Sequence, residues 1–582
     1  MRNRMPMEST STPNLPAINS NENLDLTWGV KIPLRDGLRL NATLYQPTDS
    51  QPVPAIFTLT PYIADTYHAR AVYFAQHGYA FLLVDCRGRG NSQGEFDPFM
   101  NEPQDAVDIV SWLAEQPWCD GQVGMWGGSY AGFDQWMALK SHPEALKTIV
   151  PAASAHAGVD FPFYKNIFFS YEIQWLTLIS GLTPNSNLFG DQAYWIAKFQ
   201  ERYRKHLPFK NLDQLAGNTS SQFQNWVEHP TPDSYWQSLA LTPEEYQRID
   251  IPILSITGHY DDDQPGAMHF YRMHMQHGTV QAKANHFLII GPWDHAGTRT
   301  PTEGFGGLKF APASLLDLNN LHREWYDCTL KASPQPEFLK DRVAYYVTGL
   351  EQWKYTPSLE KIASRTRLLY LNSTDGQADD VFQSGSLEDA SPLPDSFPDH
   401  YVYDPLDLRP AELETAEIQN YLTDQRYVLN TFGNGLVYHS APFEQETEIS
   451  GFIRLETWIC LDVPDTDFLV TFFEILSDGS SIQLSQDLLR ARYRRSLEQE
   501  TLVTAGVIER YIFDGFNFFS RRIARGSRLR LFINSPNSIY LQKNYNSGGD
   551  VLNETAADAR TAHVTLYHNA EHPSFLQIPI VD

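Results

Sequence analysis

The sequence lacks the features that would place it in a membrane or in a disulfide-stapled secreted scaffold. Its 582 residues contain no apolar run of about 18 residues, the length that spans a bilayer. The N-terminal stretch "MRNRMPMESTSTPNLPAINSNEN" is polar and has no apolar core of a secretory signal. The four cysteines, Cys86, Cys119, Cys328 and Cys460, are too widely spaced for a metal or disulfide motif. We therefore expect a cytoplasmic protein with no membrane-spanning helix and no metal site.

Basic residues are also scarce. The chain has 44 Lys and Arg against 70 Asp and Glu, which gives a formal net charge of −26. Proteins that bind nucleic acids concentrate Lys and Arg against the phosphates, so a nucleic acid is not expected as a partner. What the chain does have is 42% hydrophobic and 13% aromatic residues, the composition of a folded protein with a large core.

Hydrophobic patterning predicts an α/β fold with an insertion and a second, all-β unit. Strand patterns such as "PAIFTLTPY" alternate with helical ones such as "PQDAVDIVSWLAEQ", which is typical of a parallel sheet covered on both faces. A strand-free aromatic segment interrupts this alternation, and short strands with turn residues follow it to the end. The expected units are a flexible N-terminal lead-in (1–26), the first part of the α/β core (27–151), a helical cap (152–245), the second part of the core (246–345) and a β-sandwich (346–582).

One glycine-rich stretch, "VGMWGGSYAGF", places Ser129 between an apolar strand pattern and a helical one. A serine in such a sharp strand-to-helix turn points its hydroxyl away from the backbone, as in the G-x-S-x-G nucleophile elbow. Gly127 and Ala131 occupy the small positions of that pattern, so an alanine replaces the second glycine. The alternative is a turn in which Ser129 only caps the following helix.

A serine nucleophile needs a histidine base and a carboxylate that orients it. In α/β-hydrolases these residues follow in the order serine, acid, histidine. The stretch "SITGHYDDD" supplies Asp261 at the end of a strand pattern, and "IIGPWDHAG" supplies His295 after another. Four neighbours are rivals on position alone: His259, Asp262, Asp263 and Asp294.

Several segments together resemble one family. They are "DCRGRGNSQGEF", "QPWCDGQVGMWGGSYAG", "GHYDDD", "GPWDH", "VAYYVTGLEQW", "VPDTDF", "DLLRARYR" and "NYNSGG", and they run in order from about residue 27 to the end. The chain resembles the α/β-hydrolases that include cocaine esterase, α-amino-acid ester hydrolases and cephalosporin acylases, which are related to the Xaa-Pro dipeptidyl-peptidases.

The resemblance implies an α/β-hydrolase core with a helical cap and a C-terminal jelly-roll domain. It matches Ser129 to the nucleophile, Asp261 to the acid and His295 to the base, with no metal or cofactor. The oxyanion hole would combine the backbone N–H of Tyr130 with the hydroxyl of Tyr62, in place of the absent HGGG segment. The expected partner is a small ester or amide substrate, and a homo-oligomer remains open.

The resemblance also implies residues for substrate binding. Relatives that hold a substrate ammonium group use carboxylates, and the matching positions here are Asp263, Gln264 and Asp160. The aromatic stripe of the cap either lines an acyl pocket or packs the cap onto the core. Two alternative functions stay open: an Xaa-Pro dipeptidyl aminopeptidase, and a non-catalytic binding protein on the same fold.

Overall fold

The computed structural model describes residues 24–48, 51–416, 419–426, 428–430 and 432–582. The lead-in predicted over residues 1–26 lies outside the described residues except for its last three. For those three the prediction is wrong, because Leu24 begins the first strand and pairs with Pro47. Leu24 and Leu26 are half-buried against the core, whereas Asp25 between them is exposed. This alternation of buried and exposed side chains is that of a strand at the edge of a sheet.

The first half of the chain carries the strands of the α/β unit and one small hairpin. In chain order the strands are β1 (Leu24–Pro33), β2 (Arg39–Pro47), β3 (Val53–Thr60), β4 (Ala80–Asp85), β5 (Cys119–Gly128), β6 (Leu146–Ala152), β7 (Phe163–Tyr164), β8 (Ile167–Phe168), β9 (Ile253–Tyr260), β10 (His286–Asp294), β11 (Val343–Val347) and β12 (Gln352–Thr356). Strands β7 and β8 form the hairpin, and the other strands form one sheet.

The sheet is mostly parallel. In the described chain its ten strands lie in the order β1-β2-β4-β3-β5-β6-β9-β10-β11-β12. Every pair from β4 to β11 in this order is parallel, whereas the pairs at both edges are antiparallel. The carboxyl ends of β5, β9 and β10 therefore meet along one edge of the sheet, where such folds place their ligand sites.

The helices of this part of the chain lie on both faces of the sheet and in an insertion between two of its strands. They are α1 (His68–Gln76), α2 (Glu102–Ala114), α3 (Tyr130–Ala138), α4 (Tyr171–Leu178), α5 (Ser186–Phe189), α6 (Gln192–Arg204), α7 (Leu212–Leu215), α8 (Ser221–Val227), α9 (Ser234–Ser238), α10 (Pro243–Arg248), α11 (Gln264–His277), α12 (Val280–Ala284) and α13 (Leu318–Lys331). Successive residues of β3 point to opposite faces of the sheet, and both faces are covered, since Ile56 lies in one core cluster and Phe57 in another.

Helices α4 to α10 and the β7–β8 hairpin lie between β6 and β9 in the chain and form the insertion. Aromatic side chains of this insertion, among them Phe163, Trp195 and Trp226, belong to the same buried cluster as Phe57 of the sheet. Most of the aromatic stripe therefore packs the insertion onto the core.

The C-terminal part is an all-β domain with its own core. Its strands are β13 (Arg365–Asn372), β14 (Gly385–Glu388), β15 (Asp399–Tyr403), β16 (Gly435–Ser440), β17 (Thr447–Gly451), β18 (Arg454–Leu461), β19 (Asp467–Ile475), β20 (Ser481–Arg490), β21 (Ile508–Phe513), β22 (Phe519–Ile523), β23 (Arg528–Asn534), β24 (Ala562–Tyr567) and β25 (Phe575–Val581), with one short helix, α14 (Arg409–Glu412). Their inward side chains form a separate buried cluster that includes Phe472, Leu531 and Ile578.

The predicted fold class is confirmed, with a helical insertion in an α/β core and a C-terminal β-sandwich. The predicted boundary at residue 345 is too early, because β12 pairs with β11 in the first sheet. Trp353 and Tyr355 of β12 pack against the core of that sheet, which explains the pairing. Within the described residues, none of the helices combines the length and the apolar character needed to cross a bilayer.

Candidate active site

Ser129 lies at a strained turn between β5 and α3. Its backbone angles are φ 60° and ψ −123°, a conformation that non-glycine residues rarely adopt. The backbone N–H of Ser129 donates to the carbonyl of Ala152 at 2.9 Å, which ties the turn to the neighbouring strand. The side chain is half-buried and faces a cavity, so the hydroxyl is accessible. This geometry is that of a nucleophile elbow.

Close packing around the elbow explains its small residues. A methyl group added to Gly127 would lie 2.5 Å from the Cβ of Ala131. One added to Gly132 would lie 2.5 Å from the Oγ of Ser154. The alanine at position 131 is therefore tolerated because a glycine stands opposite it, and the missing glycine of the pattern follows one residue later.

Asp261 and His295 are joined by a hydrogen bond at the ends of β9 and β10. The distance from His295 Nδ1 to Asp261 Oδ1 is 2.9 Å. Asp261 is completely buried, and it also accepts hydrogen bonds from the Thr257 hydroxyl at 2.8 Å and the Asp263 backbone at 3.0 Å. Because an ionised carboxylate can only accept, Nδ1 of His295 carries the proton and Nε2 is left as a base.

The surroundings of His295 favour its protonated form. Burial by itself lowers the pKa of His295, but the hydrogen bond to Asp261 and the nearby charge of Asp263 outweigh it, so the pKa is raised above its ordinary value. The Asp263 carboxylate lies 3.6 Å from Nδ1. A histidinium formed during a reaction is therefore stabilised at this position.

Tyr62 follows β3 and its hydroxyl meets both Trp175 and Ser129. The Trp175 indole N–H donates to the Tyr62 hydroxyl at 2.9 Å. Burial raises the pKa of Tyr62, and hydrogen bonds with Trp175 and the Ser129 side chain oppose that shift only in part. The phenol therefore stays protonated at neutral pH and can donate. Tyr130, whose backbone N–H follows the nucleophile, lies in the same cavity wall.

The loop that carries Tyr62 is fixed by the "DCRGRG" segment. Asp85 Oδ1 accepts from the backbone N–H of Ala64 at 2.8 Å, just after Ile63, whose φ of 68° is strained for a β-branched residue. The buried Arg89 guanidinium donates to the Pro61 carbonyl at 2.7 Å and to the Ile179 carbonyl of the insertion at 2.6 Å. This segment therefore positions the loop rather than touching the cavity.

A small cavity, with a volume of about 20 Å³, opens beside Ser129. Its wall is mostly aromatic and contains one carboxylate. The lining residues are Tyr62, Phe99, Ser129, Tyr130, Ala155, Phe161, Tyr171, Trp175 and Asp263.

Of the three predicted ammonium-binding residues, the structure brings only Asp263 to this cavity. Asp160 is buried, and its two oxygens accept backbone N–H groups of His156 at 2.8 Å and Gly266 at 2.7 Å. Gln264 is also buried, and its side chain donates to the carbonyls of Gly258 at 2.8 Å and Phe518 at 3.0 Å. The predictions for Asp160 and Gln264 are therefore not supported, because their polar atoms hold backbone segments together.

Two of the rival residues have other roles. His259 is buried against Phe518, with ring centroids 5.8 Å apart, and burial lowers its pKa to about 3. Asp294 accepts from the Gly297 backbone at 2.8 Å and shapes the turn that carries His295. Within the part of the chain that the structure describes, no cluster of His, Cys, Asp and Glu side chains is arranged to hold a metal ion.

Sequence reasoning missed the individual residues of the cavity wall. Phe161, Tyr171 and Trp175 belong to the aromatic stripe of the insertion. The stripe indicated that aromatic residues could line the site, but not which of them do. Phe99 lies in a loop before α2 and carries no sequence signal.

Two family models match the chain. The model of the X-Pro dipeptidyl-peptidase (S15 family) matches residues 36–297. The model of the X-Pro dipeptidyl-peptidase C-terminal non-catalytic domain matches residues 339–577. Among curated proteins, the cocaine esterase of Rhodococcus sp. (strain MB1 Bresler) is 28% identical over 581 residues, which cover 96% of this chain and 99% of that protein.

Solved structures share the fold over almost the whole chain. An α-amino acid ester hydrolase superposes with a TM-score of 0.83 at 21% identity, covering 98% of this chain and 100% of that one. An aminopeptidase from the marine sediment archaeon Thaumarchaeota archaeon also has a TM-score of 0.83 at 21% identity, covering 99% of this chain and 100% of that one. A CocE/NonD family hydrolase from Staphylococcus aureus has a TM-score of 0.69 at 16% identity, covering 96% of this chain and 94% of that one.

Proposed function

We propose that this chain, which matches the X-Pro dipeptidyl-peptidase (S15 family) model over residues 36–297, hydrolyses ester or amide bonds with Ser129, His295 and Asp261 as a catalytic triad. Ser129 is the nucleophile, His295 the base and Asp261 the acid that orients the base. The observation that carries this proposal is the 2.9 Å hydrogen bond between Asp261 and His295, at the sheet edge where the strained Ser129 turn also lies.

The proposed reaction passes through an acyl-enzyme. Ser129 Oγ attacks the substrate carbonyl while His295 Nε2 takes its proton, and the developing negative oxygen is held by the Tyr62 hydroxyl and the Tyr130 backbone N–H. His295 then gives the proton to the leaving alcohol or amine. Water, deprotonated by His295, attacks the acyl-enzyme, and the acid leaves as His295 returns the proton to Ser129 Oγ.

The wall of the cavity favours an apolar acyl group. Its walls include the rings of Phe99, Phe161 and Trp175, and aromatic rings pack well against one another and against apolar chains. Asp263 adds a single buried carboxylate, which could pair with an α-ammonium group on the acyl chain. We therefore propose small esters or amides with an apolar acyl side chain as substrates, and a preference for an α-amino group as the finer hypothesis.

A reducing, cytoplasmic location is also part of the proposal. All four cysteines lie in the described part of the chain and are free thiols. Cys119, in the "PWCDG" segment, is buried, and burial raises its pKa, so it is a packed thiol rather than a nucleophile.

Active-site labelling tests the nucleophile. A fluorophosphonate probe should label the wild-type protein and leave Ser129→Ala unlabelled. Ser141→Ala is the matched control, because Ser141 is exposed just beyond α3 and is not among the cavity-lining residues. If folded wild-type protein is not labelled, the serine hydrolase mechanism is wrong, and a non-catalytic binding protein becomes the better hypothesis.

Two matched esters test the role of Asp263. The p-nitrophenyl esters of phenylalanine and of 3-phenylpropanoate differ only by the α-amine. Asp263→Asn also removes a charge beside His295, which affects both esters alike. The substitution should therefore lower kcat/KM for the amino ester about tenfold more than for the other ester, since one charged hydrogen bond is lost only there. Equal wild-type rates, with no effect of the substitution, would leave a general esterase whose preference comes from the aromatic wall.

An Xaa-Pro dipeptidyl aminopeptidase is the second candidate. The matching family model and the carboxylate of Asp263, placed where it could hold a peptide N-terminus, favour it. Gly-Pro p-nitroanilide tests it directly, because turnover of this amide requires both recognition of the amine and acceptance of proline. Rapid ester hydrolysis with no release of nitroaniline rules this candidate out.

A further inference from the structure

Phe99 occupies a strained backbone position in the wall of the cavity. Its φ is 72°, a conformation that a bulky side chain adopts only when its surroundings hold it there. The ring is buried and stacks with Trp175 at a centroid distance of 6.1 Å. It also packs against Phe161 at 5.5 Å. The shape of the apolar wall therefore depends on whatever fixes the Phe99 backbone.

A hydrogen-bonded chain fixes this backbone from behind the cavity. The Phe99 N–H donates to the Tyr130 hydroxyl at 2.7 Å. That hydroxyl in turn donates to Glu102 Oε1 at 2.6 Å. Since the phenol oxygen accepts from Phe99, its single proton points at Glu102, and an acceptor at position 102 sets the direction of the hydroxyl. The other oxygen, Oε2, accepts from the Asn101 backbone at 3.1 Å.

The surroundings of Glu102 are unfavourable for a carboxylate. Burial raises the pKa of Glu102 to about 7, and Asp105 adds to the shift, although Asp105 itself is paired with Arg87 at 2.9 Å. Asp134, four residues after Tyr130 on α3, is also completely buried, and burial raises its pKa well above its ordinary value. An apolar residue would pack in this place without these costs, but it would not accept the hydrogen bond of Tyr130.

We propose that Glu102 is a positioning residue that sets the acyl specificity of the site through the Tyr130 hydroxyl and the Phe99 backbone. This inference rests on the proposed function, since it concerns the acyl cavity of that same site. Without an acceptor at position 102, the Tyr130 hydroxyl is free to turn, and the strained Phe99 backbone relaxes into the cavity. A benzoyl group offers more surface to the Phe99 ring than an acetyl group does, so it loses more of its fit when that ring moves.

The test compares two esters across three variants. For each protein, kcat/KM is measured for p-nitrophenyl benzoate and for p-nitrophenyl acetate. Glu102→Ala should lower the benzoate-to-acetate ratio by about tenfold or more, the scale of a small misplacement in a fitted site. Glu102→Gln keeps an oxygen acceptor and should preserve the ratio. Glu115→Ala, an exposed glutamate at the end of the same helix, is the matched control and should behave as wild type.

Other outcomes overturn the inference. A ratio within about twofold of wild type in Glu102→Ala, or equal losses on both esters, would show that Glu102 does not shape the acyl wall. If Glu102→Ala does not fold, Tyr130→Phe takes its place, because it removes the hydroxyl and keeps the backbone N–H; the same fall in the ratio is expected, and an unchanged ratio refutes the proposal. Wild-type protein that hydrolyses neither ester would overturn the proposed function as well, so the two failures are distinguishable.

Discussion

Replacing Tyr62 with phenylalanine isolates the proposed oxyanion donor. The ring volume stays the same, so the packing of the loop is retained and only the hydroxyl is lost. In the structure this hydroxyl accepts from the Trp175 indole at 2.9 Å, and because an indole N–H can only donate, the phenol proton is available for the substrate oxygen. Loss of one such donor in a water-excluded site raises the barrier by about 3 kcal/mol, or about 100-fold in kcat.

The kinetic pattern separates this role from simple binding. The donor acts on charge that develops in the transition state, so kcat should fall while KM changes by less than about threefold. Steady-state hydrolysis of p-nitrophenyl acetate measures both constants, and burst-phase release of nitrophenol reports acylation alone. Tyr73→Phe is the matched control, since Tyr73 lies on α1 and outside the cavity lining. A kcat for Tyr62→Phe within threefold of wild type would refute the oxyanion role.

Four further predictions follow from the structure. Because the pKa of His295 is raised above 6.5, kcat/KM should be lost as the pH falls through a midpoint above that value. Asp261→Asn should lower kcat by about 10⁴-fold, and an unaltered pH–rate profile in that variant would contradict the orienting role. The Lys165 ammonium lies 2.8 Å from the buried Asp487 carboxylate, so Lys165→Met leaves that carboxylate without its ion-pair partner. The substitution should lower the free energy of unfolding, measured by denaturant titration, by about 3 kcal/mol. Adding Asp487→Asn should recover part of this loss. Gly127→Ala should reduce activity because its methyl group would lie 2.5 Å from the Ala131 Cβ, and adding Ala131→Gly should restore it; no recovery in the double variant would refute this packing argument.

The sequence predicted the central strands of the α/β sheet, but not its two edge strands. Buried parallel strands such as β3 and β4 are continuous apolar runs, so their pattern alone identifies them. Strands β1 and β12 lie at the two edges of the sheet, and their half-exposed residues show no such run. Whether an edge segment joins a sheet depends on the surface that the neighbouring strand offers, and this surface exists only after folding.

The candidate site divides in the same way. Ser129, Asp261 and His295 each follow a strand directly, so the local pattern made them candidates. The family resemblance selected Asp261 and His295 from their neighbours, and the structure brings these two into contact. Asp160 and Gln264 matched positions in related proteins, but their polar atoms hold backbone groups of distant segments. A sequence match carries the residue type and not the direction of the side chain.

The sequence by itself determined the α/β core, the strained serine turn and the order of the candidate catalytic residues, because strand periodicity and small residues at a turn act over a few neighbouring positions. The tertiary structure decided which side chains form the cavity. Phe99, Phe161 and Trp175 come from separate loops and helices and meet beside Ser129 only through packing. It also placed the buried Glu102 behind Tyr130. These contacts join residues far apart in the chain, so their distances and hydrogen bonds arise only when the insertion closes over the sheet.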